Sequence, residues 1–175
     1  AKKFYSEPFT LNEIPEEYIA RNNGVMLISS GKIHKANEGC ACTMNSILKQ
    51  FIKHLTVGEN EVVLLDMEAG VEHFGRGVDN SVDLILMIVD PSFESLKLTK
   101  KIQQLGESIG KTVFFVLNKV NGQILPTMLE SIDDQSKVLA VISEDTEIAR
   151  KGLLGNELMM EIPEIHTLAR KILKQ

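Results

Sequence analysis

Five short apolar runs, separated by helical patterns, constrain the fold of this sequence more than any other feature. The runs are continuous rather than alternating, which is typical of strands that are covered on both faces of a parallel sheet. We predict strands at Val25–Ile28, Val62–Leu65, Leu84–Val89, Val113–Leu117 and Val138–Ile142. Strands that alternate with helices predict an α/β three-layer sandwich with a mainly parallel sheet and right-handed crossovers.

Apolar residues at the 3.6-residue period predict four helices among and after these strands. The four apolar stripes span Met44–Leu55, Leu98–Ile109, Leu125–Ile132 and Ile165–Leu173. Residues 1–24 contain Pro8 and Pro15 and show neither period, so we expect an irregular lead-in there.

The composition is that of an ordinary globular protein. The chain has 175 residues, of which 43% are hydrophobic and 25% are charged, and this length and balance predict one domain over 1–175. The net charge of −5, without a basic run, argues against nucleic acid as a partner. Because the sequence has no apolar run of about 18–20 residues and no signal-like start, we expect no membrane association and a cytoplasmic location.

Cys40 and Cys42 lie one residue apart beside the start of the first predicted helix. The unpaired N–H groups and the positive dipole end of a helix favour the thiolate, which is the form that binds metal. Two thiolates are half of a four-ligand shell, so His or Asp/Glu from elsewhere, or a second copy of the chain, has to complete it. The alternative is that both cysteines are small buried apolar side chains.

Polar residues follow three of the predicted strands, at the edge where open α/β sheets bind ligands. Asp66, Asp90 and Asn118 each come directly after such a strand. An aspartate in the position of Asp66 holds Mg²⁺ in nucleotide hydrolases, and Glu68 and Gly70 lie where a phosphate-sensing loop would follow. The Asn118 amide can face a purine edge. Together these residues predict a nucleotide site, although helix capping explains each one alone.

Four segments of the sequence closely resemble the nickel-insertion ATPases of the CooC type, which mature carbon monoxide dehydrogenase and belong to the MinD/ParA-like P-loop proteins. The segments are E-G-C-A-C-T-M-N at 38–45, L-L-D-M-E-A-G-V-E-H-F-G-R-G at 64–77, V-D-P-S at 89–92 and V-L-N-K-V at 116–120. These segments are spread along the sequence, so the resemblance covers most of the chain. The resemblance implies a P-loop NTPase-like (SIMIBI/MinD-like) fold, ATP hydrolysis with Mg²⁺, nucleotide-dependent dimerisation, and carbon monoxide dehydrogenase or a related nickel enzyme as partner.

The resemblance also implies roles for individual residues. By this resemblance Cys40 and Cys42 would be metal thiolates at a dimer interface, and Asp66 would be the Walker B acid. Glu68 and Gly70 would be parts of switch II, and Asn118 would be the adenine-reading amide. Asp66 and Glu68 would be catalytic, and Asp66, Gly70 and Asn118 would bind ATP or ADP. Counting ligands, we predict one nickel or zinc ion per homodimer, bound by four sulfurs.

The sequence departs from this family in one respect, since the opening strand and the phosphate loop K-G-G-x-G-K-[ST] do not occur in it. Gly106–Thr112 is similar to such a loop, but it is one residue short and ends a predicted helix, whereas a phosphate loop opens a helix. We interpret Gly110 as a helix C-cap. We therefore expect the carboxyl-terminal portion of a MinD-like domain that does not hydrolyse ATP as given. We also expect Val62–Leu65 and Leu84–Val89 to pair directly or to accept a strand from another chain.

Three other classes of protein remain open. A receiver domain would use Asp66 as phosphoryl acceptor and Lys119 as its partner, but Ser29 and Ser30 stand where an acidic pair should hold Mg²⁺. A flavodoxin-like binder lacks a phosphate cradle and has no Trp to flank a flavin. A dimerising metal-binding module without enzymatic activity is the third alternative.

Overall fold

The computed structural model describes residues 6–29, 41–67, 71, 74 and 81–174, with the side chains of 41–45 outside this description. The chain forms two compact units, Ala1–Val82 and Asp83–Gln175. A single domain over 1–175 stays a prediction.

The described part of the first unit combines short strands with a longer helix. Strand β1 (Phe9–Thr10) is parallel to β4 (Leu55–Thr56), and β2 (Ala20–Asn22) forms an antiparallel hairpin with β3 (Val25–Leu27). Helix α1 spans Ala41–His54.

A tight turn and an aromatic contact explain the local structure of the first unit. The hairpin turns at Asn23 and Gly24, whose φ angles of 46° and 81° are both positive, as a two-residue type I′ hairpin requires. Phe9 is 1% exposed, and its ring lies 5.0 Å from that of Phe51, so the aromatic pair joins β1 to α1. The described part of the expected lead-in, residues 6–24, thus contains only short elements, including the 3₁₀ turns Leu11–Glu13 and Glu16–Tyr18.

The second unit is a parallel three-stranded sheet that alternates with helices. Its elements are β5 (Leu84–Val89), α2 (Phe93–Ser108), β6 (Thr112–Val120), α3 (Leu125–Glu130), β7 (Val138–Ser143), α4 (Thr146–Leu154) and α5 (Pro163–Ile172). The strand order is β5-β6-β7, and both pairs are parallel. This arrangement confirms the predicted α/β class.

Helices cover both faces of this sheet. Gly106 of α2 packs against Val113 of β6, whereas Leu168 of α5 packs against Val116 of the same strand and Leu139 of β7. Because successive strand residues point to opposite faces, Val113 and Val116 lie on different sides. The second unit therefore has the three layers that the sequence predicts.

The predicted strands of the second unit are confirmed, and those of the first unit need correction. Leu84–Val89 is observed as predicted, and β6 and β7 include the other two predicted runs. Val25–Ile28 contributes to an antiparallel hairpin instead of a parallel sheet. The strand at Val62–Leu65 is wrong: the segment is irregular, and Leu64 is 85% exposed.

The physical reason is that a strand needs a neighbour for its backbone N–H and C=O groups, and an apolar run does not by itself provide one. The expected direct pairing of Val62–Leu65 with Leu84–Val89 is therefore wrong as well. The alternative, a strand accepted from another chain, stays a prediction.

The four predicted helices are found, and one of them is shorter than predicted. A further helix was missed by the sequence pattern. The stripe at Leu125–Ile132 gives α3, which ends at Glu130. The N–H of its C-cap Ser131 donates to the Met128 carbonyl at 3.2 Å, a tight i→i−3 bond. Helix α4 was absent from the pattern, although Asp145 caps its start and Gly155, with φ of 65°, ends it. Within the described residues, every helix is too short or too polar to cross a membrane.

The interpretation of the false phosphate loop is confirmed. Helix α2 ends at Ser108, and β6 begins at Thr112. Gly110 has a φ of 70°, and the Lys111 N–H donates to the Gly106 carbonyl at 2.9 Å. This is a glycine-terminated helix end, so its N–H groups do not face a phosphate.

Candidate functional site

The carboxyl ends of β5 and β6 meet at one edge of the sheet. Val89 lies opposite Leu117 in the parallel register, so the residues that follow them, Asp90 and Asn118, are neighbours. Asn118 Nδ2 donates a hydrogen bond to Asp90 Oδ1 at 2.9 Å. The strand register, and not proximity in sequence, therefore joins the first two polar side chains of this edge.

A distortion of β6 brings Lys119 to the same carboxylate. Leu117 pairs with Val141 and Val120 with Ser143, so β6 has one more residue than β7 over this stretch, which is a β-bulge. Regular alternation would send the side chains of Asn118 and Lys119 to opposite faces. Instead Lys119 has a φ of 56°, and its Nζ lies 2.5 Å from Asp90 Oδ2. We call Asp90, Asn118 and Lys119 the Asp90 cluster.

The charge state of Asp90 follows from this geometry. Partial burial raises the pKa of the Asp90 carboxyl, but the hydrogen bonds from Lys119 and Asn118 and the positive charge of Lys119 together outweigh it. The net result is a pKa of Asp90 below its ordinary value. The carboxylate is thus ionised at neutral pH and can only accept hydrogen bonds.

The backbone at Asp90 is anchored to the start of α2. The Asp90 N–H donates to Ser95 Oγ at 3.1 Å, and the Ser92 N–H donates to the Asp90 carbonyl at 2.8 Å. Ser92 is the N-cap of α2, and its Oγ accepts from the Ser95 N–H at 3.2 Å. The V-D-P-S segment therefore holds Asp90 in a fixed position relative to the helix and the sheet.

The other predicted nucleotide residues lie in the first unit or outside the described residues. Asp66 is exposed and lies in an irregular part of the first unit rather than at a strand end. Glu68 and Gly70 lie outside the described residues. The catalytic and Mg²⁺-binding roles of these three residues stay predictions.

The predicted metal pair lies at the start of α1. Cys42 belongs to the first turn of the helix, its side chain lies outside the description, and Cys40 is not among the described residues. The predicted helix start beside the cysteines is confirmed by the bounds Ala41–His54. In the part of the chain that the structure describes, no group of three His, Cys, Asp or Glu residues could hold a metal.

Sequence reasoning missed the role of Asp90 and the way Lys119 joins it. The signal was present, because V-D-P and N-K each follow an apolar strand. What the sequence lacks is the register that aligns these two strand ends and the bulge that turns Lys119 toward Asp90.

Comparison with known proteins identifies the family. No protein-family model matches the chain. The chain is 41% identical over 172 residues to the "Uncharacterized ATP-binding protein MJ0084" of Methanocaldococcus jannaschii, covering 98% of this chain and 69% of that protein. The chain belongs to the family of this ATP-binding protein.

Two further relatives agree with that family. The chain is 32% identical over 146 residues to the carbon monoxide dehydrogenase accessory protein CooC of Rhodospirillum rubrum, and it spans 56% of that protein's length. It is also 32% identical over 140 residues to the "Uncharacterized ATP-binding protein MJ0823" of Methanocaldococcus jannaschii, and it spans 54% of that length. The predicted likeness to CooC is confirmed, and the ATP-binding relatives support nucleotide binding.

Proposed function

We propose that this chain is the nucleotide-binding part of a nickel-handling accessory protein, related to the ATPases that insert nickel into carbon monoxide dehydrogenase. One observation carries the proposal. The amide of Asn118 is fixed by Asp90 at the carboxyl edge of a parallel sheet, in a chain whose relatives are ATP-binding proteins. That edge is where open α/β sheets bind their ligands.

In this proposal Asn118 contacts the adenine base of ATP or ADP. Asp66 would hold Mg²⁺ directly or through water, and Glu68 and Gly70 would sense the γ-phosphate. The receiver alternative is disfavoured, because Lys119 is already ion-paired with Asp90 and the relatives bind ATP.

The metal would be cargo that is handed to a client enzyme. Helix α1 begins at Ala41, so its dipole favours thiolates at Cys40 and Cys42. Two chains would supply four sulfurs to one nickel ion, with zinc as a substitute, at a homodimer interface. The likeness to CooC supports carbon monoxide dehydrogenase or a related nickel enzyme as the client.

The test of the nucleotide site is calorimetric titration of the chain with Mg-ATP. Asn118→Ala should weaken binding by about tenfold, because it removes one hydrogen bond of about 1–1.5 kcal/mol. Asn156→Ala is the matched control, since it removes an exposed amide from the second unit, and it should leave binding unchanged. Equal affinity in all three proteins would reject the proposed site.

A further inference from the structure

The carboxamide of Asn118 is asymmetric, and Asp90 distinguishes its two ends. An ionised carboxylate accepts hydrogen bonds and donates none, so only the amide nitrogen of Asn118 can face Asp90, as the 2.9 Å contact shows. The opposite orientation would place the amide oxygen against a negative charge. The Asp90 contact uses one of the two N–H groups of the amide and turns the oxygen away from Asp90, where it can accept a hydrogen bond.

We propose that Asp90 is a positioning residue that fixes the Asn118 carboxamide with its oxygen outward, so that the site selects a base with an N–H donor over one with a carbonyl at the same position. The inference rests on the proposed function, in which Asn118 contacts the base. It adds the cause of the selectivity, which is the hydrogen-bond polarity that Asp90 imposes.

The strain in β6 supports a positioning role. Lys119 adopts a φ of 56°, and a non-glycine residue at positive φ is held there against its own preference. The ion pair that results has side chains that are 60% exposed for Lys119 and 42% for Asp90, and pairs this exposed contribute little to stability. A gain in stability alone therefore does not account for the bulge. A positioning role does account for it, because the bulge brings Lys119 to Asp90 and so keeps the Asp90 carboxylate ionised and in place beside Asn118.

Asp90 is also fixed on its other side. Its N–H is held by Ser95 Oγ at 3.1 Å, and the Ser95 N–H donates to the Ser92 cap of α2. The Asp90 carboxylate is thus held in place, and each of its oxygens accepts one hydrogen bond, Oδ1 from Asn118 and Oδ2 from Lys119. A carboxylate so placed constrains the amide more tightly than a mobile surface aspartate would.

The experiment compares ATP with inosine triphosphate, whose base carries a carbonyl in place of the 6-amino group. By calorimetry the native chain should bind ATP about tenfold more tightly than inosine triphosphate, which is about the free energy of one hydrogen bond. The outward oxygen of Asn118 would accept from the 6-amino group of ATP, but it would face another acceptor, the 6-carbonyl, in inosine triphosphate. In Asp90→Asn the partner can both donate and accept, so the Asn118 amide can turn over. The preference should then fall to within about twofold.

Asp133→Asn is the matched control. It breaks an exposed ion pair of the same kind, with Lys100 at 3.0 Å, in the same unit, and it should keep the native preference. A second measurement needs no nucleotide: the side-chain amide resonances of Asn118 should shift in Asp90→Asn and not in Asp133→Asn.

The outcomes separate the two proposals. If the native chain binds neither nucleotide, the proposed nucleotide site fails and the selectivity fails with it. If ATP binds but Asp90→Asn keeps the native preference, the nucleotide site stands and the role of Asp90 is overturned. Unchanged Asn118 resonances in Asp90→Asn would also overturn it.

Discussion

Gly106 of α2 lies so close to Val113 of β6 that a Cβ on this glycine would be 2.4 Å from Val113 Cγ2. Val113 is 2% exposed, and Gly106 is buried as well. The first glycine of the apparent phosphate loop therefore serves the contact between a helix and the sheet. The absence of a side chain lets α2 approach β6 at this point.

We predict that Gly106→Ala destabilises the chain by about 1–3 kcal/mol, the usual cost of overpacking. Urea denaturation would measure the loss. The shortest contact is with the Val113 side chain, and the Cβ would also lie 3.2 Å from the Lys111 carbonyl oxygen. The double variant with Val113→Ala relieves the first contact only, so it should recover part of the loss and show a coupling of about 1 kcal/mol or more in a double-mutant cycle.

Gly152→Ala provides the opposite control. Gly152 lies within α4, and a Cβ added to it would meet no described atom outside its own helix within 4 Å. The alanine should therefore stabilise the chain by about 0.5–1 kcal/mol through its better helix propensity. A Gly106→Ala variant as stable as the native chain would contradict the close approach.

The backbone of Lys119 gives a second prediction. Lys119→Gly and Lys119→Val both remove the ion pair with Asp90, so the difference between them reports the positive φ of 56°. Glycine tolerates that conformation and a β-branched residue does not. The valine variant should be less stable than the glycine variant by about 1–3 kcal/mol, as measured by thermal or urea unfolding. Equal stabilities would mean that the bulge relaxes at no cost.

The lowered pKa of Asp90 gives a third prediction. A carboxyl whose pKa is lower in the folded state stabilises the fold above its unfolded pKa, near the ordinary aspartate value of 3.8, and loses that contribution as pH falls through the folded pKa. The contribution is small, because Asp90 is 42% exposed. Carbon-13 NMR of the carboxyl should therefore show a titration midpoint below the ordinary aspartate value.

Two variants test the cause of that shift. Lys119→Met and Asn118→Ala each remove one of the groups that lower the pKa of Asp90, so each should raise the midpoint. Lys100→Met, which removes the partner of Asp133, should leave it in place. A midpoint that moves equally in all three variants would argue against a local cause.

The sequence predicts the strands of the second unit because their side chains are buried by neighbours on both faces. Val89 and Leu117 are both 0% exposed, and runs of this kind are visible without any knowledge of partners. Val62–Leu65 has the same composition without the burial. Composition therefore identifies the capacity to form a strand, and pairing decides whether the strand forms.

The candidate site was predicted only in part, because the sequence shows its residues but not the strand pairing that joins them. Asn118 is recognisable from its place after the apolar run Val113–Leu117, whereas its hydrogen bond with Asp90 spans 28 positions and depends on the strand register. Helix α4 was missed because it is nine residues long, too short for the helical period of its apolar residues to be recognised. Its caps, Asp145 and Gly155, were the better signal.

The last prediction concerns the metal. Cys40 and Cys42 provide two thiolates per chain, and nickel or zinc needs four donors of this kind. We expect one nickel ion per two chains, association driven by metal, and an affinity that falls as pH drops, because the thiols must lose protons to bind. Metal analysis together with mass in solution would measure all three.

Cys40→Ser with Cys42→Ser should abolish both metal binding and the metal-driven association. Ser46→Ala is a control in the same helix α1 that changes an exposed hydroxyl and no thiol, and it should behave as the native chain. One ion per monomer, or a dimer that persists without the thiols and the metal, would contradict the four-sulfur interface. With one ion per monomer, the helix dipole at Ala41 would still favour thiolates, but a second chain would not be needed to complete the site. With a dimer that persists without the thiols, metal would not be what drives association.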